Sequence, residues 1–321
     1  MRVALVLGSG GARGYAHIGV IDALRERGYD VVGISGSSMG ALVGALQAAD
    51  KLDEFTAWAS ALTQSAVLRL LDPSLTAAGV LRAEKILATV REIIGPRTIE
   101  SLPIPFTAVA TDLIAGKSVW LQRGPIDAAI RASIAIPGVI APYLLDGRLL
   151  ADGGILDPLP MAPLAAVNAD LTIAVSLNAS DPSHPAESPS ATAELLSRMR
   201  RSTTSLIDRA AASTLLDGPT ARSVLSRFSN AVDGIDNPAE ADADAEDSAV
   251  PRLGGFEVMN RTIEISQAAL MRHTLAAYPP DLLIEVPRTV CRSLEFYRAD
   301  EVIDIGHELA SAALDSLDLG N

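Results

Sequence analysis

The sequence predicts an α/β fold with a central, mostly parallel sheet, and three observations support this. Residues 2–7 (RVALVL) form a continuous apolar run that a glycine ends, which is typical of a strand buried on both faces. Residues 31–34 form a second apolar stretch, and each stretch leads through a glycine-containing turn into a helical pattern. The chain has 321 residues, of which 49 % are hydrophobic and 20 % charged, so a large buried core is expected.

The remaining elements are predicted in chain order from apolar periodicity and turn residues. Residues 15–27 read as a helix that ends at Gly28, and residues 50–97 read as mostly helical and are expected to wall a pocket. Two hairpins, the second turning at Asp146-Gly147, are followed by further strands and helices. The ranges are 106–113 with 117–121, a helix at 127–136, 143–151, a strand at 169–178, a helix at 256–278, a strand at 282–286, and a helix at 300–317 with Val302, Ile305, Leu309 and Ala313 facing inward.

Composition restricts partners and location. The formal charge is −13, which argues against nucleic-acid binding. Cys291 is the single cysteine, so no intrachain disulfide forms, and this suits a reducing compartment. The N-terminus lacks the features of a secretion signal, and no apolar run is long enough to span a bilayer. A cytoplasmic protein is expected, with peripheral contact at the inner membrane face as an open alternative.

The stretch Gly36-Ser37-Ser38-Met39-Gly40 is a G-x-S-x-G pattern between the second predicted strand and a helix. A serine at its centre lies on a sharp turn that exposes the hydroxyl at the end of the sheet. The flanking Gly36 and Gly40 remove Cβ clashes as the chain reverses. The pattern therefore predicts Ser38 as a nucleophile, and an ordinary strand–helix connection is the alternative.

A glycine loop, Gly8-Ser9-Gly10-Gly11-Ala12-Arg13-Gly14, follows the first strand. Dinucleotide binding would need a glycine where Arg13 stands and an acid after the second strand, whereas Asp30 precedes that strand. A phosphate-binding P-loop would need a Gly-Lys-Ser/Thr sequence, which is absent. Bare backbone amides can also hold an oxyanion. In a parallel sheet this loop and Ser38 lie at the same edge, so the two motifs support each other.

Asp152-Gly153-Gly154 follows the second hairpin and reads either as a turn or as part of a site. Histidines stand at positions 17, 184, 273 and 307, and no spacing suits a metal, so neither a metal nor a cofactor is expected. Residues 194–216 are amphipathic, which fits a helix docked on the core, a cover over the pocket or a membrane contact. Residues 231–251 are acidic and are expected to form a disordered segment or a mobile loop.

These residues together resemble a bacterial patatin-like phospholipase of the branch related to neuropathy target esterase. The resemblance rests on the glycine loop extended to Tyr15-Ala16-His17-Ile18-Gly19, on the elbow around Ser38 and on Asp152-Gly153-Gly154. Weaker likenesses are residues 132–138 (ASIAIPG) and Pro280-Asp281. The match covers residues 1–180 well and 256–316 loosely.

The resemblance implies a three-layer α/β/α patatin-like fold in one hydrolase domain over residues 1–321. Its core would be residues 1–180 and 256–316, with a helical and acidic insertion at about 181–255. The implied activity is hydrolysis of a lipid or other acyl ester by a serine–aspartate dyad, with Ser38 as nucleophile and Asp152 as general base and acid. The implied oxyanion hole uses Gly10, Gly11 and Ala12, and the supporting motif residues are Gly8, Arg13, Gly14, Gly36, Gly40, Gly153 and Gly154.

Two further alternatives stay open. A Ser-His-Asp esterase or thioesterase would use His273 or His307 as base, since the chain order is formally available. A non-catalytic regulatory protein could retain the fold, and the unmatched insertion is the reason to consider it. His17 is interpreted as a structural residue of the first helix. Ser9 stands where the resembled family more often has glycine, and a small residue is expected to fit there.

Overall fold

The computed structural model describes residues 1–70, 84–179 and 255–319, and these ranges belong to one compact unit. Its strands are β1 (Arg2–Leu7), β2 (Asp30–Ser37), β3 (Phe106–Asp112), β4 (Lys117–Leu121), β5 (Tyr143–Leu145), β6 (Arg148–Asp152), β7 (Leu171–Ala179) and β8 (Leu282–Pro287). Its helices are α1 (Ala16–Glu26), α2 (Met39–Ala48), α3 (Leu52–Ser60), α4 (Gln64–Leu70), α5 (Glu84–Ile94), α6 (Ile126–Ser133), α7 (Gly255–Ala277) and α8 (Ala299–Leu319).

The strands form one sheet in the order β5-β6-β3-β2-β1-β7-β8, and β4 pairs with β3. The pairs β1–β2, β1–β7, β2–β3 and β7–β8 are parallel. The pairs that β3 makes with β4 and β6, and the β5–β6 hairpin, are antiparallel. The predicted α/β class with a mostly parallel sheet is confirmed, and both predicted hairpins form.

Helices cover both faces of the sheet, which gives three layers. β1 is central, and its residues Val3–Leu7 are almost completely buried. Leu5 and Leu7 pack with α1, α2 and α8 on one face. Ala4 and Val6 pack on the other face with Met271 of α7 and with residues 159–164. Because β1 alternates between two apolar layers, its sequence is apolar at every position from Val3 to Leu7.

The closing helix α8 packs on α1 through glycine. Among its residues of described burial, the buried positions are Ala299, Val302, Gly306, Ala310 and Leu314. Of the four residues predicted to face inward only Val302 is buried, whereas Ile305, Leu309 and Ala313 are half-buried. The reason is that the two helices approach at Gly306, where a Cβ would lie 2.2 Å from the carbonyl oxygen of Ala16. A pattern of large apolar side chains does not mark such a contact.

Several predictions fall outside the described residues. They include the amphipathic stretch 194–216, the acidic stretch 231–251, nearly all of the insertion at 181–255 and residues 71–83 of the expected pocket wall. Among the helices that the structure does describe, none is both long and apolar enough to cross a bilayer.

Candidate active site

The ends of β2 and β6 meet along one edge of β3. β2 pairs in parallel with the first half of β3, so that its last residue, Ser37, lies opposite Val109. β6 runs the other way along the second half of the same edge, and its last residue, Asp152, lies opposite the next position, Ala110. The register of β3 therefore brings Ser38, the residue after Ser37, next to Asp152, although Ser38 and Asp152 are 114 residues apart in the chain.

Ser38 occupies a strained turn between β2 and α2. Its backbone has φ 56° and ψ −122°, a region that costs free energy for any residue other than glycine. The side chain of Ser133, at the end of α6, stabilises the turn: its Oγ accepts the N–H of Ser38 at 2.9 Å and donates to the carbonyl of Val109 at 2.6 Å. A Cβ on Gly40 would lie 2.1 Å from the carbonyl oxygen of Leu7, so only glycine lets α2 start this close to β1.

Ser38 and Asp152 are in direct contact. The hydroxyl of Ser38 donates to Oδ2 of Asp152 at 2.5 Å, and Oδ1 of Asp152 accepts the N–H of Gly154 at 2.7 Å. Both residues are buried. Burial raises the pKa of Asp152 to about 6, against the lowering effect of the hydrogen bonds from Ser38 and Gly154. The carboxyl thus has the proton affinity of a base that works near neutral pH.

The glycine loop lies beside this pair. The amide of Ala12 donates to the carbonyl of Ser293 at 2.9 Å, so the predicted use of Ala12 as an oxyanion donor does not fit this structure. Gly11 has φ 60°, and this left-handed residue turns the following amide toward Ser293. The amides of Gly10 and Gly11 donate no hydrogen bond to another described residue. Gly11 and Ser38 line the same cavity.

Arg13 fixes the orientation of this loop from behind. Its Nε donates to the carbonyl of Gly10 at 3.1 Å, and its Nη2 donates to Glu264 at 3.1 Å and contacts Oγ of Ser293 at 3.4 Å. The side chain is buried, and it is therefore committed to protein groups.

The remaining motif glycines lie where the three motifs and the sheet touch. A Cβ at any of them would overlap a neighbouring group, so these contacts need residues without side chains. The overlaps would be Gly8 with the Val175 carbonyl oxygen at 2.8 Å, Gly14 with Met39 Cβ at 2.4 Å, Gly36 with the Gly40 carbonyl oxygen at 2.3 Å, Gly153 with the Val109 carbonyl oxygen at 2.1 Å and Gly154 with Ser9 Oγ at 2.7 Å.

An apolar cavity opens at Ser38. The space between its walls, counted with the open solvent at its mouth, is about 750 Å³. Ser38 and Gly11 contribute its polar end, and apolar and aromatic side chains from several elements form its walls. Wall residues include Leu42 of α2, Phe55 and Trp58 of α3, Ile86 of α5, Val139 after α6, and Phe296 before α8. The predicted contribution of residues 50–97 to the wall is confirmed for their described part.

No described histidine contacts the pair. His17 is buried, and its Nε2 lies 2.8 Å from the carbonyl oxygen of Gly8, so it supports the glycine loop. Burial lowers its pKa to about 4, and the ring is neutral at pH 7. His307 pairs with Glu26, and His273 is exposed on α7. His184 lies outside the described residues. The geometry brings an aspartate, not a histidine, to Ser38.

The sequence did not reveal Ser133, Glu264 or Ser293 as supports of this site. Ser133 lies in the ASIAIPG stretch, which the resemblance marks only weakly. Glu264 and Ser293 are 251 and 280 residues from Arg13, and neither belongs to a local pattern. Only the tertiary fold reveals these partners.

Comparison with known proteins decides the family. A sequence model of a protein family, described as patatin-like phospholipase, matches residues 5–165, half of the chain. An NTE family protein of Mycobacterium tuberculosis is 67 % identical over 334 aligned positions, covering 99 % of this chain and 92 % of that protein. The chain belongs to the patatin-like phospholipase family.

More distant relatives locate this patatin-like protein within the family. Human patatin-like phospholipase domain-containing protein 6 is 32 % identical over 186 positions, covering 56 % of this chain and 14 % of that protein. The neuropathy target esterase of Drosophila melanogaster is 32 % identical, covering 56 % of this chain and 13 % of that protein. The predicted resemblance to the branch related to neuropathy target esterase is confirmed, as is the prediction of a lipid ester hydrolase.

Proposed function

We propose that this patatin-like protein hydrolyses acyl esters of lipids with a serine–aspartate dyad. Ser38 is the nucleophile, Asp152 is the general base and acid, and the amides of Gly10 and Gly11 stabilise the oxyanion. The observation that carries the proposal is the 2.5 Å hydrogen bond from the Ser38 hydroxyl to the buried Asp152 carboxylate. A serine hydroxyl is a weak nucleophile, and an adjacent base activates it.

Acylation follows from this contact. Ser38 Oγ attacks the ester carbonyl carbon while its proton passes to Oδ2 of Asp152, and the carbonyl oxygen becomes an oxyanion. When the tetrahedral intermediate collapses, the ester C–O bond breaks and Asp152 returns the proton to the departing alkoxide. The products of this half-reaction are an alcohol and an acyl-enzyme on Ser38.

Deacylation uses the same groups. Asp152 takes a proton from a water molecule as the water attacks the acyl carbon. The second tetrahedral intermediate collapses, the bond from the acyl carbon to Ser38 Oγ breaks, and Asp152 returns the proton to the serine. The fatty acid leaves and the hydroxyl is restored.

The cavity supports a fatty acyl group as the substrate part next to Ser38. Its walls are apolar side chains, and burying an acyl chain there is favoured by about 0.8 kcal/mol for each CH₂. The same dyad would accept a phospholipid, a lysophospholipid, a neutral lipid or a thioester. A panel of these lipids, assayed by release of free fatty acid, determines which of them is hydrolysed.

The test compares wild type with Ser38→Ala and Asp152→Asn on that panel. Each variant should lose at least about 1000-fold in kcat, because a step of the chemistry loses its nucleophile or its base. Ser118→Ala and Asp146→Asn are matched controls at exposed positions and should keep wild-type rates. Full activity in either dyad variant contradicts the dyad. Loss of activity in folded His273→Ala or His307→Ala would instead favour the histidine triad.

We further propose that residues 1–321 form a single-domain enzyme with an insertion at about 181–255. We also propose that the enzyme is cytoplasmic and binds its lipid substrate peripherally at a membrane surface. The lipid nature of the substrate supports the membrane contact, since insoluble lipids are reached at an interface. Co-sedimentation with vesicles of mixed neutral and anionic phospholipid tests the contact, and protein that stays in the supernatant would contradict it.

A further inference from the structure

Arg13, which is buried, and Glu264, which is half-buried, form an ion pair behind the glycine loop. Arg13 Nη2 lies 3.1 Å from Glu264 Oε1, and the side chains are 5 % and 20 % exposed. A buried guanidinium is costly unless it is paired and hydrogen-bonded. Glu264 is the only acidic partner that the described part of the chain offers Arg13 in an ion pair, so the carboxylate permits the cation to lie there.

The position of Arg13 determines where one backbone amide points. Its Nε holds the carbonyl oxygen of Gly10 at 3.1 Å. In a trans peptide the C=O and the following N–H point in opposite directions, so the N–H of Gly11 points away from Arg13. Gly11 lies in the wall of the cavity that holds Ser38. Because Arg13 holds the Gly10 carbonyl on one side of this peptide, it also fixes the direction of the Gly11 N–H on the other side.

The Gly10–Gly11 peptide needs such a restraint. Gly11 has φ 60°, and both residues lack a side chain, so the peptide can rotate more freely than most. Ser293 restrains the loop one residue later, through the Ala12 amide. Arg13 and Glu264 restrain the Gly10 carbonyl. Glu264 belongs to α7, the first described element after residue 254, so the restraint comes from outside the glycine motif.

We propose that Glu264 is a positioning residue for the oxyanion hole, acting through Arg13 on the Gly10–Gly11 peptide. This inference rests on the proposed function, because it concerns the rate of the same reaction. Glu264 touches no substrate in this account. Its effect is on stabilisation of the oxyanion, which forms only in the transition state and the tetrahedral intermediates.

The experiment measures hydrolysis of a soluble p-nitrophenyl acyl ester by the full-length wild type, Glu264→Gln and Glu264→Ala. Loss of one oxyanion donor costs about 100- to 1000-fold in kcat, and a misplaced donor should lose part of this. We expect Glu264→Ala to lower kcat by about 10- to 100-fold with KM changed by less than about 2-fold, and Glu264→Gln, which keeps an acceptor oxygen, to lose less. Glu308→Gln, at an exposed position of α8, is the matched control.

A transition-state analogue separates positioning from general loosening. A trifluoromethyl ketone with the same acyl chain forms a tetrahedral adduct with Ser38 and places an oxyanion in the hole. Its inhibition constant should rise in parallel with the fall in kcat across the variants. Glu264→Gln should also add little to Arg13→Lys, because both changes release the same peptide.

Three outcomes overturn the inference. Folded Glu264→Ala with wild-type kcat and analogue affinity removes the positioning role while the proposed function stands. A loss of kcat/KM that comes entirely from a raised KM, with kcat unchanged, assigns Glu264 to substrate binding instead. If the wild type hydrolyses no ester and Ser38→Ala makes no difference, the proposed function fails and the inference fails with it. If Glu264→Ala does not fold, kcat and analogue affinity are compared between Glu264→Gln and the wild type, and the thermal midpoint of Glu264→Gln shows that this variant is folded.

Discussion

At the scale of single residues, Asp152 is the position where folding and chemistry conflict. Its carboxyl is removed from water, and burial raises its pKa to about 6 even though Ser38 and Gly154 donate hydrogen bonds to it. The same burial makes the carboxylate a stronger base than an exposed aspartate. We infer that burying this base makes the folded protein less stable at neutral pH than it would be with a neutral group at position 152.

The pH dependence of the rate tests whether the Asp152 carboxylate is the base. Asp152 must be ionised to act as a base, so kcat/KM should fall tenfold per pH unit below about 6 and level off above it. The measurement is kcat/KM between pH 4.5 and 8 with an uncharged ester. A rate that stays constant to pH 4.5 would contradict a base with this pKa.

The pH dependence of stability tests whether the buried Asp152 carboxylate destabilises the fold. The pKa of Asp152 is higher in the folded protein than in the unfolded chain, so the folded state holds more protons between about pH 4 and 6. This group therefore stabilises the fold less as pH rises through that window. His17, whose pKa is lowered to about 4, acts in the opposite direction over the same window, so the wild-type profile alone does not separate the two.

Replacement of Asp152 by asparagine separates them. The free energy of unfolding of Asp152→Asn minus that of the wild type should be larger at pH 8 than at pH 4, by on the order of 1–3 kcal/mol. Urea unfolding of both proteins at both pH values gives this difference, and the contribution of His17 cancels. A difference that does not change with pH, or that moves in favour of the wild type as pH rises from 4 to 8, would count against a destabilising carboxylate.

At the scale of elements, much of the site could be predicted from the sequence. Strands β1 and β2 carry their apolar pattern and end in glycine motifs, and the hairpin that delivers Asp152 has an Asp-Gly turn. The meeting of β2 and β6 on β3 could not be predicted, because a register between strands is not encoded in either strand alone. The hydrogen bond of the Ala12 amide could not be predicted for the same kind of reason, since its acceptor, Ser293, is distant in the chain.

The packing of α1 on α8 depends on glycine at the crossing point. A Cβ on Gly19 would lie 2.0 Å from the carbonyl oxygen of Ile303, so the helices would have to separate. Gly19→Ala should lower the free energy of unfolding by about 1–3 kcal/mol despite the better helix propensity of alanine. Thermal or urea unfolding measures this, with Ser316→Ala on the exposed side of α8 as control. Equal or higher stability of Gly19→Ala would show that the helices do not approach this closely.

At the scale of the whole molecule, the cavity is assembled from elements spread over most of the described chain. α2, α3, α4, α5, the segment after α6 and the segment before α8 each contribute side chains. Sequence patterns identified the residue types in these walls but not the shape they enclose, because cavity shape depends on how the elements pack together. The apolar walls and the single polar end suit one acyl chain bound with its carbonyl at Ser38.

Filling the cavity should change chain-length selectivity. Val139 lines the cavity and is 6 % exposed, so Val139→Phe should reduce the ratio of kcat/KM for a decanoyl ester to that for a butyryl ester by about 10-fold, the value of 1–2 buried CH₂ groups. Val119→Phe, a half-buried position on β4 outside the cavity, is the control. An unchanged ratio in Val139→Phe would mean that acyl chains bind elsewhere.

The most direct measurement of the central claim is the site of covalent modification by a fluorophosphonate probe. Intact-mass analysis followed by peptide mapping should show a single adduct on Ser38 in the wild type, much slower labelling in Asp152→Asn and none in Ser38→Ala. An adduct on another serine, or equal labelling of the wild type and Asp152→Asn, would contradict a Ser38 nucleophile activated by Asp152.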